Sequence, residues 1–170
     1  MDLTPERLKS DTFVLDAHQK DIIRLRLKLE AEKLLGIPYK MAKTEEEKNA
    51  SVGKWIDLTK LPVNLDCSGL TNGVYRKVGM KLPHGSRNQF NFTVATNNPQ
   101  HGDLGFFGDD GDINRVTHVG MLYDPDFFIE ARGFQKNANF ETGKVILRHR
   151  KFWEAYKPHF LGYRAHAKLL

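Results

Sequence analysis

The sequence predicts a single α+β domain in which helices come first and an antiparallel sheet follows. In the first half of the chain, apolar residues recur at helical spacing. After Pro99, short apolar runs alternate with glycine and Asp-Pro turns, a pattern typical of antiparallel strands. The length of 170 residues and the hydrophobic content of 40% suit one compact core. We therefore expect one domain over residues 1–170, with residues 1–30 as a helical extension at its N-terminus.

Two helices are predicted before residue 40. Thr4 is suited to cap the first of them, because Pro5 then occupies the first helical position. The second is an amphipathic helix over residues 18–35, which Gly36 ends. Its apolar face is expected to consist of four residues at roughly helical spacing, namely Ile22, Leu25, Leu29 and Leu35.

A third helix is predicted over residues 67–78. Leu70, Val74 and Val78 recur at every fourth position, and Gly79 follows as a natural C-terminal stop. The polar segment 40–64 before it is expected to form a long surface loop with one helical turn.

The second half of the chain predicts short strands separated by turns. They are expected at residues 103–107, 117–123, 127–133, 144–148 and 160–164. Residues 153–156 are expected to form a helical turn before the last of these strands.

The charge of the chain is mildly basic. The 26 Lys+Arg exceed the 21 Asp+Glu, which gives a formal net charge of +5. This charge favours contact with polyanions, but the basic residues are scattered, as they are on an ordinary solvated surface. No stripe combines aromatic and basic residues, so we do not expect nucleic-acid binding.

Cys67 is the single cysteine of the chain, which excludes an intrachain disulfide and a multi-cysteine zinc site. It lies in the sequence LDCSGL, at the start of the predicted third helix. Backbone N–H groups and the helix dipole favour a thiolate there, and these N–H groups can also bind the oxyanion of a tetrahedral intermediate. Cys67 is therefore the candidate nucleophile. Asp66 and Ser68 are explained equally well as capping residues or as substrate contacts.

His118 is the candidate base among seven histidines, because it lies inside an apolar predicted strand with small neighbours. A turn at residues 124–126 folds the following strand back, and the pairing places His118 and Glu130 on one face, opposite or diagonal to each other. Glu130 could then orient the imidazole. Arg132 has the same parity, so a plain pairing of Glu130 with Arg132 is the competing explanation.

Six segments, in order and at compatible spacing, resemble the NlpC family of bacterial and phage cell-wall peptidases. They are AEKLLGIPY (31–39), LDCSGL (65–70), GMKLPHGSRNQ (79–89), GDLGFF (102–107), THVGM (117–121) and FLGYRA (160–165). The resemblance implies an α+β, papain-like NlpC-type fold. In this fold, N-terminal helices pack on a central antiparallel sheet and the nucleophile lies at a helix N-terminus.

Residue by residue, the resemblance implies Cys67 as nucleophile and His118 as base. Members of the family commonly have His, Asn or Gln where this chain has Glu130. We expect the carboxylate to hold and charge the imidazole more strongly than a neutral amide would. The resemblance also implies a substrate pocket, which in some members holds the free amine of a stem peptide, formed by Tyr39, Asp66, Ser68 and Ser86.

The implied activity is that of a cysteine peptidase that hydrolyses peptidoglycan stem peptides. The expected bond joins D-γ-glutamate to the diamino acid, and the expected route is an acyl-thioenzyme that needs no metal or organic cofactor. An N-acetylmuramoyl-L-alanine amidase or an acyltransferase would use the same cysteine and histidine. A non-catalytic wall-binding module is a further alternative, supported by the unusual Glu130. The expected partner is peptidoglycan or its peptide fragments.

The sequence also gives expectations about location. No run of about 18 apolar residues is present, so we expect no membrane span. The N-terminus lacks the basic and apolar regions of a secretory signal. We therefore expect a protein of the cytoplasm or of a phage tail that acts on the cell wall or its fragments.

Overall fold

The structure is a computed structural model that describes residues 3–10, 12–42, 44, 46–47, 60–136, 139–157 and 159–170. The helices are α1 (Pro5–Lys9), α2 (Ala17–Glu32), α3 (Cys67–Lys77), α4 (Ser86–Phe92) and α5 (Arg150–Glu154). The strands are β1 (Val94–Ala95), β2 (Leu104–Gly108), β3 (Val116–Leu122), β4 (Phe127–Lys136), β5 (Asn139–His149) and β6 (Phe160–Ala165). Short 3-10 helices occupy Asp109–Gly111 and Ala167–Leu169.

The strands form an antiparallel sheet in the order β1-β6-β2-β3-β4-β5. Strands β2 to β5 are neighbours in chain order, whereas β6 returns to pair with β2. The register places Phe107 opposite His118, and Met121 opposite Ile129. Because α2 and α3 precede this sheet, and α3 packs on α2 and on strands β3 and β4, the predicted α+β class is confirmed.

Alternate residues of the central strands face two different layers. The main core lies on the side of α2 and α3, and the sheet contributes to it Leu104, Phe106, Val119, Met121, Ile129 and Ala131. A smaller cluster on the other side combines Leu122 and Phe128 with Trp153 of α5. Since His118 has the same parity as Leu122 in β3, its side chain belongs to the side of the smaller cluster.

Trp153 packs directly on two glycines of neighbouring strands. A Cβ atom at Gly120 would lie 2.7 Å from the indole, and one at Gly105 would lie 3.2 Å from it and 2.7 Å from the ring of Phe128. Side chains at these two positions would therefore displace the rings. The close approach brings the indole to the imidazole of His118, with 5.6 Å between the ring centroids.

The N-terminal helices begin at recognisable caps. The hydroxyl of Thr4 accepts the N–H of Arg7, as predicted from the Thr-Pro start of α1. Helix α2 begins with a capping box, in which Asp16 accepts the N–H of Gln19 at 2.8 Å and the Gln19 side chain accepts the N–H of Asp16 at 3.0 Å. An Asp followed three residues later by Gln is a sequence pattern typical of such a box.

The predicted apolar face of α2 is wrong, although the helix itself is present. Ile22, Leu25, Leu29 and Leu35 are exposed, by 36% to 53%. The buried residues are instead Ile23, Leu27, Ala31 and, just after the helix, Leu34. Apolar residues at nearly alternate positions along this helix offer two stripes of helical spacing. The contact with α3 selects the stripe that contains Ala31.

A buried ion pair helps to orient α2 in the same way. Arg24 Nη1 lies 2.8 Å from Oδ1 of Asp103, and the two side chains are only 3% and 1% exposed. The same guanidinium also donates to the carbonyl oxygens of His101 and Leu169. The pair therefore ties α2 to the start of β2 and to the C-terminal end of the chain.

The predicted third helix and the strands after Pro99 are confirmed, although β4 ends at Lys136 instead of Gly133 and β5 begins at Asn139 instead of Lys144. Helix α3 ends before Gly79, whose φ of 89° needs a glycine. The sequence did not predict α4 or β1. The predicted loop at residues 40–64 lies largely outside the described residues. Within the described part of the chain, no helix has the length and apolarity needed to cross a membrane.

Candidate active site

Cys67 is the first residue of α3, as the sequence predicted. Asp66 caps the helix, because its Oδ1 accepts the N–H of Gly69 at 2.6 Å. The amides of Cys67 and Ser68 precede the first intrahelical bond, so they are the candidate donors to an oxyanion beside the sulfur. The Cys67 side chain is partly exposed and packs against the edge of the main core. A cysteine that is not fully buried suits a reactive thiol.

His118 of β3 lies between Cys67 and Glu130. Its Nε2 is 2.6 Å from Oε2 of Glu130, which confirms that the two side chains share a face of the sheet. Burial alone would lower the pKa of His118, but hydrogen bonds with Cys67 and Glu130 outweigh it and raise this pKa to about 9. Because Glu130 occupies Nε2, Nδ1 is the ring nitrogen available to Cys67. The imidazole is therefore held in its charged form at neutral pH.

Glu130 is fully buried. Burial raises its pKa, but His118, Arg132 and Arg148 together hold this pKa below its ordinary value. Arg148 Nε lies 2.8 Å from Oε1, and Arg132 Nη1 lies 3.9 Å from the same oxygen. The competing pairing of Glu130 with Arg132 thus exists beside the contact with His118 and does not replace it.

Two aromatic rings border the imidazole on the face that it shares with Glu130. The centroid of the Trp153 ring is 5.6 Å from that of His118, and the centroid of the Phe107 ring is 6.2 Å from it. Trp153 is almost fully buried, and its contacts with the glycines of β2 and β3 fix its position. These rings limit the tilt of the imidazole and exclude water from that side.

The four residues predicted to bind substrate make different contacts. Tyr39 is buried, and burial followed by the charges of Cys67 and Asp66 raises its pKa, so its phenol lies close to the nucleophile. The hydroxyl of Ser68 donates to Oδ1 of Asp66 at 3.1 Å. The Ser86 hydroxyl donates at 3.4 Å to the carbonyl of Val116, on the strand of His118. Their roles toward a substrate stay predictions.

His84 also belongs to this group of residues, although it was not predicted from the sequence. Its Nδ1 is 3.1 Å from the hydroxyl of Ser68, and its Nε2 is 3.9 Å from Oδ1 of Asp66. The side chain is 10% exposed. His84 lies two residues before Ser86, in the family-like segment GMKLPHGSRNQ (79–89), and this position could have indicated a place in the site. Arg148 gave no comparable signal, since its contact depends on the register of β4 and β5.

The arrangement can perform nucleophilic catalysis. A cysteine at a helix N-terminus, an imidazole that stays protonated and a buried carboxylate behind it form the nucleophile, proton carrier and orienting group of a cysteine-based acyl transfer. Among the described residues, no group of three or more His, Cys, Asp or Glu side chains could hold a metal ion.

Comparison with known families agrees with this geometry. The sequence profile of the NlpC/P60 family matches residues 36–156, a span that holds Cys67, His118 and Glu130 and covers more than two thirds of the chain. The chain belongs to the NlpC/P60 family. The resemblance described from the sequence is thereby confirmed, and so is the papain-like NlpC-type fold.

A curated relative of this NlpC/P60 chain is the peptidoglycan endopeptidase RipA of Mycobacterium tuberculosis. It is 32% identical over 103 residues, which cover 58% of this chain but only 21% of the relative. The chain therefore spans about a fifth of the length of that protein.

Solved NlpC/P60 structures have the same fold at lower identity. RipA mutated at a glutamate superposes with a TM-score of 0.63 at 20% identity, over 94% of this chain and 68% of that one. The M. tuberculosis peptidoglycan hydrolase RipB gives 0.60 at 21% identity, over 89% and 67%. A lipoprotein-like NLP/P60 protein of Staphylococcus aureus gives 0.57 at 23% identity, over 92% and 45%.

Proposed function

We propose that this chain is a cysteine peptidase that hydrolyses peptidoglycan stem peptides. The observation that carries the proposal is the contact of His118 with both Cys67 and Glu130, with the cysteine at the start of α3. The family and the name of RipA, a peptidoglycan endopeptidase, support the substrate class. The bond that we propose is the one between D-γ-glutamate and the diamino acid.

In the first step, the Cys67 thiolate attacks the carbonyl carbon of the scissile amide. The tetrahedral oxyanion forms beside the first amides of α3, which can donate hydrogen bonds to it. The imidazolium of His118 then gives its Nδ1 proton to the nitrogen of the leaving amine. The C–N bond breaks, and the acyl group stays on the sulfur as a thioester.

In the second step, the neutral imidazole of His118 takes a proton from water, and the hydroxide attacks the thioester carbon. The C–S bond breaks, the carboxylic acid is released and the thiolate–imidazolium pair is restored. Glu130 stabilises the imidazolium in both steps, because its carboxylate lies 2.6 Å from Nε2. Each cycle consumes one water molecule and one amide bond.

The proposed amine subsite lies beside the nucleophile. The same negative charges that raise the pKa of Tyr39 favour a cation near its phenol. The carboxylate of Asp66 and the hydroxyl of Ser68 lie in this region and can accept hydrogen bonds from an ammonium group. This chemistry suits a stem peptide with a free N-terminal amine.

The proposal is tested by incubating the protein with purified stem peptides, with and without the muramoyl sugar, and identifying the products by mass spectrometry. We expect cleavage after D-γ-glutamate by the native chain and none by the Cys67→Ala variant. Ser68→Ala, which keeps the nucleophile and removes a predicted substrate contact, should instead raise KM more than it lowers kcat. Circular dichroism spectra would establish that both variants are folded.

Other products would overturn the proposal in distinct ways. Release of the intact stem from the sugar would identify an amidase, and transfer of the acyl group to an added amine would identify an acyltransferase. A folded protein that yields no product from any of these substrates between about pH 5 and pH 9 would indicate a wall-binding module.

A further inference from the structure

Arg148 of β5 lies directly behind Glu130, on the side away from His118. We propose that Arg148 is a positioning residue that holds Glu130 as a carboxylate, fixed against the imidazole. The inference rests on the proposed cysteine–histidine chemistry, because it assigns Arg148 a part in keeping that pair charged. No motif in the sequence marks this arginine.

The need for such a residue follows from the burial of Glu130. Its side chain has no exposed surface, and one oxygen is used by His118. Among the described residues, no donor makes a well-aligned hydrogen bond to the other oxygen, Oε1. That oxygen is stabilised by charge instead, with Arg148 Nε at 2.8 Å. A buried carboxylate without this neighbour would favour its protonated form.

The sheet register gives Arg148 its place. Glu130 lies opposite Ile146, so Arg148 is the next residue of β5 on the same face. Its side chain is 29% exposed and contacts Oε1 of Glu130 through Nε, the guanidinium nitrogen closest to the backbone along the side chain. Arg132 lies two residues along β4 from Glu130 and is 39% exposed, and its Nη1 is 3.9 Å from Oε1 of Glu130. The two arginines therefore carry equal charge but differ in their contact with the carboxylate.

Among the described residues, the charged groups that contact this centre come from three elements. Cys67 of α3 and Glu130 of β4 hydrogen-bond with the imidazole, and Arg132 and Arg148 lie behind the carboxylate. The neighbouring Phe107 and Trp153 side chains are uncharged. An ionised Glu130 attracts the Nε2–H of His118 and leaves Nδ1 for Cys67. A protonated Glu130 would lose that attraction, and the imidazole would lose both its charge support and its orientation.

The test compares Arg148→Gln with its matched control Arg132→Gln. Carbon-13 NMR of the Glu130 carboxyl group follows its titration whether or not any peptide is cleaved, so this result is independent of the proposed substrate. We expect Arg148→Gln to raise the pKa of Glu130 by about one to three pH units and Arg132→Gln to raise it much less. In Arg148→Gln, kcat should fall about tenfold or more while KM changes by less than about twofold.

A conservative variant separates positioning from simple structural support. The ammonium of Arg148→Lys lies one bond further along the side chain than Nε, within reach of Oε1, and should restore most of the low pKa of Glu130. Thermal unfolding would be recorded for all three variants. The proposal is overturned if Arg148→Gln titrates like the native protein at Glu130, or if Arg132→Gln has the larger effect. A loss of thermal stability in Arg148→Gln without a change in this titration would also overturn it.

Discussion

Replacing Glu130 by glutamine tests how much of the charge on His118 depends on the carboxylate. The contacts in the site raise the pKa of His118 from 6.5 to about 9. A rise of that size corresponds to about 3 kcal/mol in favour of the imidazolium. Two groups supply it against the opposing effect of burial, namely Cys67 and Glu130. The Glu130→Gln variant removes one of these two contributions while it keeps nearly the same shape.

We expect the pKa of His118 in Glu130→Gln to fall by about one to two pH units, because burial then opposes the charge with only Cys67 against it. The measurement is a titration of the His118 ring proton by NMR, together with the pH dependence of stem-peptide cleavage. The alkaline limb of kcat/KM reports loss of the imidazolium, so it should move to lower pH by a similar amount.

The matched control is Glu154→Gln, which removes another carboxylate paired with an arginine, Arg150, at 2.7 Å. That change should leave both the His118 titration and the alkaline limb where they are in the native protein. If Glu130→Gln behaves like this control, the carboxylate does not stabilise the imidazolium and the electrostatic argument is refuted.

Three further predictions concern stability. Arg24→Met leaves the Asp103 carboxylate buried without its partner, so it should lower the free energy of unfolding in urea titrations by about 3–5 kcal/mol. The control Lys33→Met removes one partner of an exposed ion pair and should change this free energy by less than about 1 kcal/mol. Burial lowers the pKa of His166 to about 4 in the folded protein. As the pH falls, the His166 imidazole is therefore protonated in the unfolded chain before it is protonated in the folded one. The free energy of unfolding should therefore fall by about 3 kcal/mol as the pH drops from about 6.5 to about 4, and a His166→Gln variant should lack this part of the loss. Gly120→Ala forces a Cβ to 2.7 Å from the indole and should cost about 1–3 kcal/mol, which calorimetry would detect; an unchanged melting temperature would contradict that packing.

The features of the site that depend on residues close together in the chain could be predicted from the sequence. The start of a helix at Cys67 follows from Asp66 as a cap and from apolar residues at every fourth position. The shared face of His118 and Glu130 follows from the two-residue period of a strand and a short turn between them. These features depend on neighbouring residues in the chain, so a single sequence contains them.

The buried face of α2 could not be predicted in the same way. Its sequence has two apolar stripes, one with Ile22, Leu25 and Leu29 and one with Ile23 and Leu27. Both satisfy helical periodicity equally well. Which stripe is buried depends on the side of α2 on which α3 and Asp103 lie. These contacts join residues far apart in the chain.

The sequence by itself determined the class of the fold, the nucleophile candidate at the start of α3 and the pairing of His118 with Glu130, because each follows from spacing along one or two neighbouring elements. Only the tertiary structure decided which charges surround that pair. Arg148 contacts Glu130 because of the register of β4 and β5, and His84 contacts Ser68 because the chain returns to the start of α3 after that helix ends. The ionisation of a buried group depends on all charges within a few ångströms, and those distances are properties of the folded chain.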